Sequence, residues 1–398
     1  SLDRSTAKLI TDPFGVVTAL LVIEGGIFYL AEYGPTKRFF NVLPPMFWIY
    51  FLPMVATTLG VIPQQSEVYP FISRHLLPVS LVMLLLSVDI RAILRLGKIA
   101  LAMLLVGSAG IVLGGPTVLL LFQPWLPADI WLGFGALSGS WIGGSANMVA
   151  VQQGIGTPEE ILAPIIVVDT IVAYSWMGLL IALAKFQSLY DRWNRSNTQV
   201  MEELNRKLSS SEKTRTSALT LKHAVVIFAV GFAGAWVAAW MGAALPEVRN
   251  LVSTYTWTIL IVTALGVGLS FTPVRRLEPF GASKLGYGLL YLVLAAIGAR
   301  ANLADMMSVP ILVVAGFTWV AIHALLLLAA SRLLRAPMFL MVTASQANIG
   351  GHASAPVVAG VYQPALVTVG LLMAIVGGIL GTYLGIVCSQ LCRMVSQL

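Results

Sequence analysis

The chain is short of charge. Asp, Glu, Lys and Arg together make up 10% of its 398 residues, against roughly 25% in an average soluble domain. That shortage excludes an ordinary water-soluble fold. Cysteine is scarcer still: Cys388 and Cys392 stand alone, one helical turn apart near the end. Two thiols build no disulfide framework, and no Cys/His set has zinc spacing. The sequence has no phosphate-cradling glycine loop and no hydrolytic triad pattern. ATP-driven transport and enzyme activity are therefore not expected. No small-residue cleavage site follows the first apolar run, so that run reads as a span rather than a cleavable signal peptide.

Apolar residues, by contrast, make up 58% of the chain. Runs of about 18 or more recur along the whole length, which is the pattern of a multi-spanning helical membrane protein. The net charge of +7 is spread over short loops, as the positive-inside rule predicts, and calls for no nucleic-acid partner. Ten Trp and eleven Tyr fit interfacial anchoring in a lipid bilayer.

Twelve apolar segments can be read. Six run from Val16 to Ala31, Pro45 to Ile62, Leu76 to Val88, Ile99 to Phe122, Ile130 to Gly156 and Ile161 to Ala184. A polar stretch from Lys185 to Lys222 follows, expected to be part helix and part disordered. Six more run from Ala224 to Leu245, Leu251 to Phe271, Leu285 to Ala299, Pro310 to Leu334, Pro337 to Tyr362 and Ala365 to Leu391. The halves match in their punctuation. Pro63 pairs with Pro273, Asp89-Ile90-Arg91 with Ala299-Arg300-Ala301, and Pro158 with Pro364, at offsets of 206 to 210 residues.

The fifth segment and the eleventh carry the most pointed match. Ile142-Gly143-Gly144-Ser145-Ala146-Asn147 is echoed 207 residues later by Ile349-Gly350-Gly351-His352-Ala353-Ser354. Lipid-exposed backbone cannot leave its helix, because unsatisfied peptide groups cost several kcal/mol each. Paired glycine breaks in two halves therefore point to a transporter's binding site. The alternative is a seam of small residues that lets helices pack closely.

Charge decides whether these two segments cross. If each is a re-entrant hairpin and the linker is cytoplasmic, Lys37, Arg38, Arg91, Arg95, Lys98, Arg275, Arg276, Lys284, Arg332 and Arg335 lie inside. Only Arg74, Arg249, Arg300 and Arg393 then lie outside, ten against four. Letting both segments cross gives seven against seven. The positive-inside rule favours hairpins. Each half then has five spans plus one hairpin, and the halves are inverted. The expected fold is an all-α polytopic membrane protein of two inverted repeats, residues 1–184 with a hairpin at 130–156, and residues 223–398 with a hairpin at 337–362. They are joined by a cytoplasmic linker at 185–222, with both termini outside.

Candidate substrate ligands stand at the hairpin tips: Ser140, Gly143, Gly144, Ser145 and Asn147 in the first half, and Asn348, Gly350, Gly351, His352 and Ser354 in the second. Ser138, Ser345 and Gln346 are close by. Tips expose helix N-termini, which favour an anion, and free carbonyls, which favour a cation. Arg300 is a further candidate for gripping a carboxylate, or an interfacial anchor. Trp141 either stacks on a substrate or fills a gap. Asp169 is the acidic residue deep in the sixth segment, and an intramembrane carboxylate is a functional hypothesis by default. With Thr170 it is the candidate coupling-ion site, for Na⁺ or a proton; no other cofactor is expected. Glu24, beside Gly25-Gly26, reads as a second ion-sensitive group or a structural pairing. Asp89 and Arg91 read as snorkelling ends.

The whole length, with IGGSAN and IGGHAS in its halves, resembles the YjcL-like family of uncharacterised membrane proteins. The GGHA element is also similar to the Gly-Gly hairpins of glutamate:sodium and 2-hydroxycarboxylate symporters. This chain departs from them in having Ser145 where its second copy has His352. The resemblance implies an elevator-type architecture, with a mobile core of both hairpins sliding against a scaffold, and a homodimer formed through scaffold helices. The expected function is secondary active transport, a Na⁺- or H⁺-coupled symport of a small polar or anionic solute such as an organic acid, amino acid or short peptide. A cation/proton antiporter or a membrane-embedded enzyme are the alternatives. A multi-pass bacterial inner membrane protein is expected.

Overall fold

The computed structural model describes residues 9–36, 40, 45–88, 93–94, 96–209, 217–247, 253–301, 309–363 and 366–397. Lys37, Arg38, Asp89, Ile90, Arg91, Arg95, Arg249, Leu251, Pro364 and Ala365, used in the readings above, lie outside them. The described residues are helical throughout, with no strand among them. Helices of the first half are α1 (Pro13–Glu32), α2 (Pro45–Thr58), α3 (Val68–Leu85), α4 (Gly97–Phe122), α5 (Ile130–Gly143), α6 (Ser145–Ile155) and α7 (Glu159–Leu183). Two short helices, α8 (Gln187–Asn194) and α9 (Gln199–Ser209), occupy the linker. The second half supplies α10 (Leu221–Ala244), α11 (Thr254–Ser270), α12 (Ala282–Arg300), α13 (Val309–Leu334), α14 (Met338–Ile349), α15 (Gly351–Tyr362) and α16 (Val367–Ser396).

Local chemistry marks the starts. Asp12 caps α1 through Gly15 N at 2.7 Å, ahead of Pro13. Ser253 and Thr256 form a capping box on α11, satisfying two orphan N–H groups reciprocally. Eight of the described helices are long and apolar enough to cross a bilayer. The second span expected in each half is shorter. α2 has 14 residues, and α11 has 17 before the chain bends by 92° into the 3₁₀ turn Pro273–Phe280. α3 begins at Val68, before the apolar run that starts at Leu76, because Arg74 and His75 continue the helix instead of ending it.

The fifth apolar segment is two helices folded back on each other. Gly144, at φ 93°, ends α5 and opens α6, a backbone geometry that suits glycine. At the far end of the pair the Thr157 hydroxyl donates to the Leu132 carbonyl at 3.2 Å. A straight helix would hold residues 25 apart about 37 Å from each other, so this pair is a hairpin. The eleventh segment breaks likewise, with Gly351 at φ 62°. Its two ends reach one place: Met338 N donates to Asp191 Oδ1 at 2.8 Å, and the Tyr362 hydroxyl to the Leu180 carbonyl at 2.6 Å.

Helix α7 orders the two hairpins. The first has its base by the start of α7, where Gly133 packs on Ile161 and Ile165. The second has its base by the end of α7, at Leu180 and the following α8. Their tips touch: a Cβ built on Gly351 would lie 3.4 Å from Gly144 Cα.

Packing divides the helices into two groups. α3 lies along α12, with α2 and α1 beside α12 and α11 and α10 beside α3. The other group is α4 with α13, α7, both hairpins and α16. Residues such as Met148, Val149 and Ile166 bury against the first group and join the two. The tightest pairing in the protein is α5 on α16. There Gly139 faces Gly385 and Gly143 faces Gly381, backbone against backbone. The small-residue seam weighed from the sequence thus exists on the outer face of the first hairpin, and Gly143 belongs to it.

Candidate functional site

Two cavities flank the place where the tips meet, of about 500 and 640 Å³. Gly144, Ser145, Tyr291 and Gly350 line both. The first cavity adds Ser140, Asp169, Thr170, Tyr174, Gln346 and Ser354. The second adds Gly143, Asn147, Gly351, His352, Glu278 and Thr382. Ten of the eleven substrate-ligand candidates, all but Arg300, come from the hairpins; nine of those ten, all but Asn348, line one cavity or both, and Asp169 with Thr170 joins the first.

Asp169 sits near the middle of α7 and is 6% exposed. Its carboxylate accepts from Ser140 Oγ at 3.0 Å and from Trp141 Nε1 at 2.8 Å, both on the inner end of α5. Trp141 is fully buried, edge-on to Trp319 at 5.2 Å between centroids. It fills the space behind the carboxylate and is positioned to hold it, not to stack on a solute. Thr170 spends its proton on its own helix, on the Ile166 carbonyl at 2.9 Å, and keeps oxygen lone pairs free. The carboxylate has two donors and no ion pair with a Lys, Arg or His among the described residues, while one flank opens on the first cavity.

Across that cavity Gln346 is 1% exposed. Its Nε2 donates to Ser354 Oγ at 2.7 Å, bridging the two arms of the second hairpin. Its Oε1 has no partner, and a buried unpaired acceptor costs about 1–3 kcal/mol. The neighbouring Ser345 accepts from Trp176 Nε1 at 2.9 Å and meets His323 Nε2 at 3.0 Å. His323 Nδ1 faces the Gly107 carbonyl at 2.9 Å. A carbonyl only accepts, so Nδ1 carries the proton, Nε2 accepts from Ser345, and the ring is neutral and satisfied. This network pins the second hairpin to α4, α7 and α13.

Other candidates stand apart. Asn147 is committed at the first tip, donating to Gly143 O at 2.9 Å and accepting from Thr382 at 2.7 Å. Asn348 points away from both cavities, to Ser108 Oγ at 2.9 Å. Arg300 lies at the end of α12 and pairs with Glu159 at 2.7 Å, next to the base of the first hairpin; it lines neither cavity. Glu24 is buried in α1, in the other helix group. His352 lines the second cavity, its ring 3.2 Å from where a Cβ on Gly378 would lie. Tyr174 and Tyr291 were not among the sequence candidates; nothing marks a Tyr in an apolar run as cavity-lining. Among the described residues no three His, Cys, Asp or Glu side chains gather as a metal site.

Comparison with known sequences places the chain. A family model described as a protein of unknown function, DUF819, matches residues 18–395. The chain is also 28% identical over 348 residues to the uncharacterized membrane protein YjcL of Bacillus subtilis (strain 168), covering 83% of this chain and 86% of that one. The chain belongs to the DUF819 family, and it is a multi-pass helical membrane protein.

Proposed function

We propose that the protein is a secondary active transporter that carries a small polar solute at the meeting point of its two hairpins, coupled to Na⁺ or a proton at Asp169. The observation that supports this most is the pair of half-length hairpins, based at opposite ends of α7, whose glycine tips touch beside a cavity holding a buried carboxylate. Broken helices whose ends meet at mid-depth are how membrane carriers place backbone donors and carbonyls around cargo. Organic acids, amino acids and short peptides are the solute classes in view, moved by symport when ion and solute bind together.

In this reading the halves are inverted repeats, residues 1–184 and 223–398. The group of α4 to α7 with α13 to α16 is the mobile core of an elevator, and α1 to α3 with α10 to α12 is the scaffold and dimer interface. The linker end is cytoplasmic. At that end stand Lys185, Arg192, Arg195, Arg275, Arg276, Lys284, Arg332 and Arg335, against Arg74, Arg300 and Arg393 at the other. Both termini then lie outside, in a bacterial inner membrane.

The test is Asp169→Asn in proteoliposomes. Ion-driven uptake is expected to vanish while the melting profile stays close to that of the parent; unchanged uptake removes Asp169 from the mechanism. Reporter fusions after Gln123 are expected to read outside. Counterflow of a labelled solute without product separates a carrier from a membrane-embedded enzyme.

A further inference from the structure

The first cavity has a one-sided charge. Asp169 is its only charged lining residue, and no Lys, Arg or His lines it among the described residues. The side chain best placed to bind an anion, Arg300, is held by Glu159 away from it. The wall facing Asp169 presents Gln346, whose Oε1 is buried without a partner, together with Ser354. Rings of Tyr174 and Tyr291 line the same space, and aromatic faces attract cations. Ser140 and Trp141 hold the carboxylate from behind. Among the described residues, the cavity lacks a donor group with positive charge.

We propose that this cavity receives the ammonium group of the transported solute, so that the solute is a small amine or an amino acid and not a bare organic anion. This rests on the transporter reading above and narrows its solute class. The ammonium donates to the Asp169 carboxylate and to Gln346 Oε1, with Ser354 as a third acceptor once Gln346 shifts. Its three N–H groups match those three acceptors, and an ammonium has no acceptor of its own to leave unsatisfied. In an amino acid, the carboxylate lies towards Gly144, Ser145 and Gly350 at the tips, which line the same cavity where α6 begins and just ahead of α15.

The test is equilibrium binding to the full-length protein in lipid nanodiscs. The probes are putrescine, lysine and glycine as amine-bearing solutes, and succinate and lactate as carboxylate-only solutes. At least one amine-bearing probe is expected to raise the melting temperature; succinate and lactate are expected to leave it unchanged. Asp169→Asn should weaken the amine probe at least tenfold. Gln346→Glu, which adds a second negative acceptor, should tighten it at least threefold, a gain that a merely damaged fold does not give. The inference is overturned if no amine-bearing probe binds, or if succinate or lactate binds as well as the amines. It also falls if Asp169→Asn loses ion-driven uptake yet binds the amine unchanged, an outcome that leaves the transporter reading standing. Amine binding with no flux of any probe does the reverse, keeping the site and removing the carrier.

Discussion

The two hairpins are built from the same sequence device but are held in different ways. The first is welded along one face. Gly139 and Gly143 of α5 meet Gly385 and Gly381 of α16 backbone to backbone, with the Asn147 and Val151 side chains of α6 closed on the same seam, and in α6 Met148, Val149, Ala150 and Val151 are all buried. The second is held at several separate places: its base by Asp191 and Leu180, its middle by the Ser345–His323–Gly107 chain, and its outer arm by Gly370 of α16, which faces the Ala355 backbone, while α14 is buried almost throughout. Its outer arm, α15, leaves Val357 51% and Val361 46% exposed. Continuous backbone packing resists motion everywhere along its length, whereas point contacts leave the segments between them free. The exposed face of α15 leaves the second hairpin the freer of the two to move within the group they share.

The strongest way to break this contrast is to spoil the seam. A Cβ at Gly381 would lie 2.7 Å from Asn147 Cγ and 2.9 Å from Gly143 Cα, and the Gly143 backbone cannot turn aside. Gly381→Leu is expected to cost about 3 kcal/mol or more by overpacking, with loss of a monodisperse peak in size-exclusion chromatography. The matching change in the second hairpin is Gly360→Ala, whose Cβ meets one methyl of Val367 at 3.1 Å. That variant is expected to melt within about 1 kcal/mol of the parent, since a methyl can rotate aside. Equal damage from both removes the distinction between weld and point contact.

A smaller effect is expected where the linker meets the second hairpin. Asn194 is fully buried, and its Nδ2 donates to the Ala336 carbonyl at 2.9 Å and the Ser331 carbonyl at 3.3 Å. It thereby holds the turn between α13 and α14. Asn194→Ala removes those bonds, while Ser331 Oγ still donates to the Ala336 carbonyl and Ala336 N to the Ser331 carbonyl, and is expected to cost about 0.5–1.5 kcal/mol, read as a lower melting temperature in detergent. Among the described residues no hydrogen bond joins the first hairpin to the linker, so a protease-protection assay should show loosening confined to α14 and α15. Loosening of α5 and α6 to the same extent would mean that the hairpins unfold as one unit.

How far this was legible beforehand depends on whether the signal is local. The breaks at Gly143-Gly144 and Gly350-Gly351 and the deep carboxylate of Asp169 read directly, because glycine pairs and an acid in an apolar run stand out against their neighbours. Partners did not read. Ser140 and Trp141 lie 29 and 28 residues from Asp169, and only the folding back of α5 brings them to it. Arg300 has the right chemistry for a carboxylate but spends it on Glu159 across the fold. Gln346 stood among the polar neighbours of the second glycine pair, and its unpaired oxygen is a property of packing. The polar linker looked like a tether; α8 proves to be a clamp because Asp191 and Asn194 fall on its one buried edge.

The gentlest test compares two valines. Val357 lines the first cavity from α15, while Val149 on α6 is 1% exposed. Each is replaced by cysteine in the full-length chain, and labelling by a polar maleimide is timed from the linker side. The native thiols give little background, since Cys388 and Cys392 are both fully buried and buried thiols in apolar surroundings are inert. Val357→Cys is expected to label within minutes and Val149→Cys to stay unlabelled until the protein is denatured. Neither change should move the melting temperature by more than a degree or so, because Val357 gives up little packing and cysteine is close to valine in volume. A solute seated beside Asp169 occupies the space that Val357 faces, so the same cysteine should slow its labelling when an amine probe is present. Rapid labelling at Val149 would mean that the first hairpin opens as readily as the second, and the asymmetry on which the moving part was assigned would then lie elsewhere in the fold.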